Sequence, residues 1–409
     1  MKTITGIILL LLNLSAFAQN ASITGTVTDA ESKKRIAGAN IFISNTSKGT
    51  VSDANGFFAL QDIPSGKYEL VISNTGYETI VFPFNSNDLP KKLDVQMQIK
   101  VKQWETVNVT PFEKDGWTKW GRLFTEAFLG QSANAADCKI LNREAIRFRH
   151  HKKEGYLEAV ADTLLLIENK ALGYFIRYQM EAFEYSFTNR SVIYGGYPLF
   201  EEMDTTRKAK QRRYAKARQK AFYGSPMHFM RSLYYNQLSA QGFEVRRSKK
   251  ILNEEKQRVK NKLGIRTSGL RGTVQISMGN GQGQNGDSSE YFQRIMGQPD
   301  YYEEIGRNLL TADSLLTSGV SGDYKILGFH DQLLVIFKLE EPAVEYQRTQ
   351  FGRMPPQQTT RLFFMADAGN ELHVYPNGSY YDPLILFLDG YMGWEKIAEL
   401  LPLEYDPDK

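Results

Sequence analysis

The sequence predicts a small all-β sandwich at the N-terminus, followed by an α+β region dominated by antiparallel sheet with two or three helices. Three observations lead there. Residues 21–100 hold seven short apolar runs, spaced by about ten residues and separated by turn chemistry. Beyond Pro111 the pattern changes, and aromatic side chains recur at helical spacing. Aromatics make up 12% of the chain and fall in strand-like runs, which favours β structure with large cores.

The first nineteen residues, MKTITGIILLLLNLSAFAQ, read as a signal peptide. Lys2 supplies the positive end, Ile7 to Leu12 the apolar core, and Ala16-Phe17-Ala18 a small-x-small cleavage signal. The apolar run is too short to span a bilayer, and no other run reaches about eighteen residues, so no transmembrane segment is expected in the mature chain. No cysteine lies near the cleavage point to accept a lipid. Cys138 is the only cysteine, which excludes an intramolecular disulfide despite an oxidising destination. The net charge of +4 is modest, and nucleic acid is not an expected partner for an exported chain.

In order, the sandwich strands are SITGTVTD, ANIFIS, TVSD, FFAL, the centre of PSGKYELVISNTGYE, IVFPFN and KLDVQMQI. Asp53-Ala54-Asn55-Gly56 interrupts them and resembles the start of a calcium loop. An EF-hand needs a bidentate acid at its twelfth position, however, and that position is Pro64. Asp53 and Asn55 are therefore expected to form a turn, with Gly56 free to take a positive φ. Gly25 to Asp29 as G-x-V-x-D, Gly38 to Asn40 as G-A-N, the turn from Val51 to Phe57, Pro64 to Tyr68 and Gly76-Tyr77 together resemble the carboxypeptidase regulatory-like domain. That resemblance implies a transthyretin-like β-sandwich over residues 20–100. It also implies an accessory module of exported and outer-membrane Bacteroidota proteins, not a peptidase.

Residues 101–112 read as a linker strand, and 113–409 as an α+β domain of unknown function. DGWTKWGRLFTEAFLG places Trp117, Trp120, Phe124 and Phe128 on a helix closed by Gly130. IRFRHHKKEGYLEAVA, LLLIENKALGYFIRYQMEAFEYSF and SVIYGGYPLFEEM read as antiparallel strands, residues 205–224 as a basic helix, and SPMHFMRSLYYNQLSAQGFEVRR as a helix running into a strand. KILGFHDQLLVIFKL, RLFFMADAG, ELHVYPNGSY and GYMGWEKIAELLPLEY are expected to resume the β pattern. Several of these runs, with the terminal LLPLEY, resemble exported Bacteroidota proteins containing a carboxypeptidase-like regulatory domain. The resemblance brings no catalytic residues with it.

Motifs that carry chemistry fail on context. His151-Lys152-Lys153-Glu154 has zinc-peptidase spacing, but Gly155 and the charge run mark a hairpin tip without the walls of a catalytic zinc site. Gly281-Gln282-Gly283-Gln284-Asn285-Gly286 is a literal G-x-G-x-x-G, but no apolar central strand follows it. Ser225 lies three residues before His228, yet Ser225-Pro226 reads as a helix cap. Cys138 reads as a buried structural thiol. No cofactor, metal or catalytic residue is assigned.

Residues 207–220, RKAKQRRYAKARQK, stand apart. Arg207, Lys208, Lys210, Arg212, Arg213, Lys216, Arg218 and Lys220 put eight cations into fourteen residues without an acid. Tyr214, Ala217 and Ala221 can form a narrow packed seam. Such self-repulsion calls for neutralisation, either within the chain, as by the EEMD run at 201–204, or by an anionic surface such as lipid head groups or an acidic partner. A solvated surface helix is the alternative. The leading expectation is a non-catalytic binding or scaffold protein at the periplasmic face of the outer membrane, meeting an outer-membrane or periplasmic protein partner. A periplasmic hydrolase with an unrecognised site in 113–409, or a carbohydrate-binding module using exposed aromatics, stands beside it.

Overall fold

The computed structural model describes residues 21–100, 110–262, 286–319, 322–350, 355–365, 369 and 371–408. The signal peptide expected at 1–19, residues 101–109 of the expected linker and the glycines at 281 and 283 lie outside the described residues.

All seven N-terminal strands form: β1 (Ile23–Asp29), β2 (Asn40–Ile43), β3 (Gly49–Val51), β4 (Phe57–Leu60), β5 (Lys67–Ser73), β6 (Ile80–Asn85) and β7 (Lys91–Met97). They make a three-stranded sheet, β4-β1-β7, and a four-stranded sheet, β3-β2-β5-β6. Alternation in β1 buries Ile23 and Val27 completely, and they pack with Ile41, Phe58, Tyr68, Leu70 and Met97 between the sheets. The turn before β4 follows from its residues. Asp53 Oδ1 accepts from the amides of Asn55 and Phe57, each at 2.8 Å. Gly56 sits at φ +70, where a Cβ would lie 2.5 Å from Val27 O.

After the linker come α1 (Gly116–Phe128), α2 (Ala133–Ala136), β8 (Cys138–Ile140), β9 (Ile146–His151), β10 (Tyr156–Ala161), β11 (Leu165–Asn169), β12 (Tyr174–Ser186) and β13 (Ser191–Glu202). The strands build a six-stranded antiparallel sheet in the order β8-β11-β12-β10-β9, with β13 along the other edge of β12. Phe124 and Phe128 of α1 are fully buried against Phe148, Tyr178 and Phe183.

Two helices follow, α3 (Lys208–Phe222) and α4 (Pro226–Tyr234). The remainder is β14 (Phe243–Leu252), α5 (Glu254–Lys262), α6 (Gly286–Met296), β15 (Tyr301–Ile305), α7 (Ala312–Leu315), β16 (Leu316–Ser318), β17 (Lys325–Gly328), β18 (Gln332–Phe337), α8 (Val344–Thr349), β19 (Gln358–Phe364), β20 (Glu371–Val374), β21 (Tyr380–Tyr381), β22 (Leu386–Gly390) and α9 (Tyr391–Trp394). A five-stranded sheet, β15-β14-β18-β19-β22, and a four-stranded sheet, β16-β17-β20-β21, share a core with α4.

The antiparallel α+β expectation holds, with more helix than the two or three expected among the described residues. The C-terminal stretch departs most from the β pattern. Gly390, at φ +122, ends β22, and Tyr391–Trp394 turn into α9. Ile397, Ala398 and Leu401 then plug the core of the six-stranded sheet. The backbone of Ala398 is satisfied by Leu129 O, which accepts from Ala398 N, and by Asn169 Nδ2, which donates to Ala398 O. No strand partner is needed.

The sandwich docks on this body through its β2–β3 turn. Asn45 N donates to Pro198 O at 2.7 Å, and Phe200 N donates to Thr46 O at 2.9 Å, so the turn extends the β13 edge. Beneath it, Phe42 and Val71 pack on Leu199.

Candidate functional site

Helix α3 is the most cationic element, and its seat explains how it forms at all. Its mid-point, Tyr214, is buried, as are Ala221 and Phe222, while Ala217 packs beside the same core. The expected seam therefore exists. It rests on the β11–β12 turn, where Gly173 at φ +73 leaves the room; a Cβ there would lie 2.4 Å from the Tyr214 ring.

The eight cations divide by direction. Arg218 faces inward: Nε donates to Leu172 O at 2.8 Å, Nη2 to Gly173 O at 3.2 Å and Nη1 to Glu202 at 2.8 Å. Its guanidinium also lies 3.9 Å from the centroid of the Tyr174 ring. Arg213 donates Nη2 to Lys170 O at 3.1 Å. Lys210 lies 5.4 Å over Tyr214. Lys220 is exposed in the last turn, where its charge partly offsets the rise that burial brings to the carboxyls of Glu395, Glu340 and Glu399. Arg207, Lys208, Arg212 and Lys216 are exposed, and their side chains have no hydrogen bond or ion pair among the described residues.

Neutralisation within the chain is thus real but partial. Glu202 takes Arg218, while Glu201 is engaged by Arg177 at 2.7 Å. Lys208, Arg212 and Lys216 repeat at four-residue spacing, which aligns them along one outward flank of the helix. The arrangement is a stripe of exposed charged tips on a fixed rod, suited to phosphate or carboxylate oxygens.

The other sequence candidates have ordinary positions. His151 Nε2 lies 3.1 Å from Glu158 Oε2 across the hairpin, and Glu154 stays exposed at its tip. Ser225 Oγ accepts from His228 N at 3.2 Å and caps α4, with Pro226 in the first turn. The buried His228 Nδ1 accepts from Gly224 N, and burial lowers its pKa. Cys138 is buried, and burial pushes its thiol up to about 12. Among the described residues, no three His, Cys, Asp or Glu side chains converge on a metal position.

Sequence reasoning missed Arg231. On α4 it donates Nε to Asn377 O at 3.0 Å, Nη1 to Tyr405 O at 2.9 Å and Nη2 to Leu403 O at 2.8 Å. A lone arginine inside the apolar PMHFMRSLY helix was the available signal.

Fold and surface together define a protein with a β-sandwich at its N-terminus, followed by antiparallel sheets with several helices. Residues 23–109 match the family described as the CarboxypepD_reg-like domain. No curated protein matches the chain. Among solved structures, a cohesin–X-dockerin complex from Acetivibrio cellulolyticus is 25% identical over 19% of this chain and 57% of that chain, with a TM-score of 0.17. BcpA, the major pilin subunit of Bacillus cereus, is 18% identical over 20% of this chain and 30% of that chain, with a TM-score of 0.17. A putative membrane-associated protein of unknown function from Bacteroides fragilis is 9% identical over 90% of this chain and 94% of that chain, with a TM-score of 0.16. At these scores the likenesses bear on neither mechanism nor partner. No helix among the described residues is long and apolar enough to cross a membrane.

Proposed function

We propose that this is a non-catalytic exported binding or scaffold protein, which meets an anionic surface at the periplasmic face of the outer membrane through α3 and a protein partner through its sandwich. The reading rests on one observation: α3 is held rigidly by Tyr214 and Arg218, while Arg207, Lys208, Arg212 and Lys216 point outward without partners among the described residues. A helix so repulsive costs stability when isolated, and an anionic surface offsets that cost. Each cation near an anionic bilayer contributes about 1 kcal/mol.

Co-sedimentation with vesicles tests it. The mature protein is expected to bind vesicles rich in anionic phospholipid and not neutral ones, with binding weakened by salt. Reversing Lys208, Arg212 and Lys216 to Glu is expected to reduce binding at least about a hundredfold. Unchanged binding in that variant would remove α3 from the function.

A further inference from the structure

The five-stranded sheet turns one face to the core it shares with α4, through Val245, Leu333, Val335 and Leu362. Alternation sends Lys250 of β14, Glu303 of β15, Arg361 of β19 and Asp389 of β22 to the other face. The register sets Lys250 beside Glu303 and Arg361 beside Asp389.

One ion pair spans that outer face. Arg361 Nε donates to Glu303 Oε1 at 2.7 Å and Nη2 to Glu303 Oε2 at 2.5 Å, across the two strands that separate β15 from β19. Ser248 Oγ, on the intervening β14, donates to the same Oε1 at 2.6 Å. The bidentate geometry fixes both side chains. Beside them lies a cavity of about 200 Å³, lined by Lys250, Tyr301, Tyr302, Glu303, Arg361 and Asp389. Tyr302 is pinned, since its hydroxyl accepts from Asn253 Nδ2 at 2.9 Å and donates to Gln298 Oε1 at 2.8 Å. Tyr301 is 55% exposed, and Lys250 and Asp389 are exposed with it. Among the described residues, Arg361 Nη1 and Lys250 Nζ donate to no acceptor, and the Asp389 carboxylate accepts from no donor.

Two cations and two carboxylates cancel, so the cavity exerts no net pull on an ion. It offers open donors and an open acceptor side by side, next to an exposed aromatic ring. A hydroxyl both donates and accepts, so a polyol can satisfy all three open groups without bringing a charge that must be desolvated. The C–H face of a sugar ring also packs on an aromatic side chain. The volume falls below that of a pocket for a drug-sized ligand and suits one ring of a longer chain. We propose that this cavity is a saccharide subsite, which holds one ring of a neutral oligosaccharide through Lys250, Arg361 and Asp389 and stacks it on Tyr301. The subsite does not depend on what α3 binds.

An array of neutral and acidic oligosaccharides, probed with the full mature chain, tests the subsite, and titration calorimetry then measures affinity for the neutral glycan bound best. Asp389→Ala and Tyr301→Ala are each expected to weaken that affinity by about tenfold or more. Both positions are exposed, and circular dichroism checks that the variants fold. Because the ligand is uncharged, affinity is expected to change little up to about 0.5 M salt, unlike binding to an anionic surface. Reversing Lys208, Arg212 and Lys216 to Glu is expected to leave it unchanged. Binding confined to acidic glycans, no binding to any neutral glycan, or wild-type affinity in the folded Asp389→Ala and Tyr301→Ala variants overturns the subsite.

Discussion

Arg231 shows how much one side chain can organise. All three of its guanidinium nitrogens donate, to three carbonyls from two segments, and it lies 5.3 Å from the centroid of the Phe222 ring. Lysine cannot reproduce three donors in a plane, so Arg231→Lys is expected to cost about 2–4 kcal/mol in a urea melt. Cys138 offers the converse, a reactive group kept silent. With its thiol pushed up to about 12, it is expected to resist alkylation at pH 8 in the folded protein and to react only after unfolding. Rapid labelling of folded protein would contradict this burial. Both residues also mark what sequence can convey. Ser225-Pro226 was legible as a cap because capping is local, whereas the carbonyls that Arg231 binds lie more than 140 residues away.

At the level of elements, period-2 alternation and turn chemistry carried almost everything in the N-terminal unit. The stretch from Thr46 to Leu60 is legible because Asp53 and Gly56 act on neighbouring amides. α3 was legible as a basic helix with a seam at Tyr214, but the direction of each cation was not, since Gly173 and Glu202 reach it only through the fold. The terminal GYMGWEKIAELLPLEY misled because its apolar residues serve a plug crossing several units, for which no local period exists. α3 also sets stability against binding. Lys208 stands in its first turn without a side-chain cap, where a cation opposes the helix dipole. Lys208→Glu is therefore expected to raise stability by about 0.5 kcal/mol while weakening vesicle binding, two effects of opposite sign that a purely structural helix would not couple.

Across the whole molecule, three hydrophobic cores are joined by a small contact of Phe42, Val71 and Leu199 and by the segment that ends at Tyr405. The sandwich matches a known domain family over residues 23–109, and the larger remainder presents α3. A net charge of +4 is too small to drive general attraction to anions, so binding must depend on where the charge sits. The most direct test compares two variants of equal charge. Arg212→Glu with Lys216→Glu alters the outward flank of α3, and Lys152→Glu with Lys153→Glu alters the exposed β9–β10 tip. Vesicle affinity measured at one salt concentration is expected to collapse in the first and to stay near the wild-type value in the second. Equal losses in both, or none in either, would contradict a role for α3.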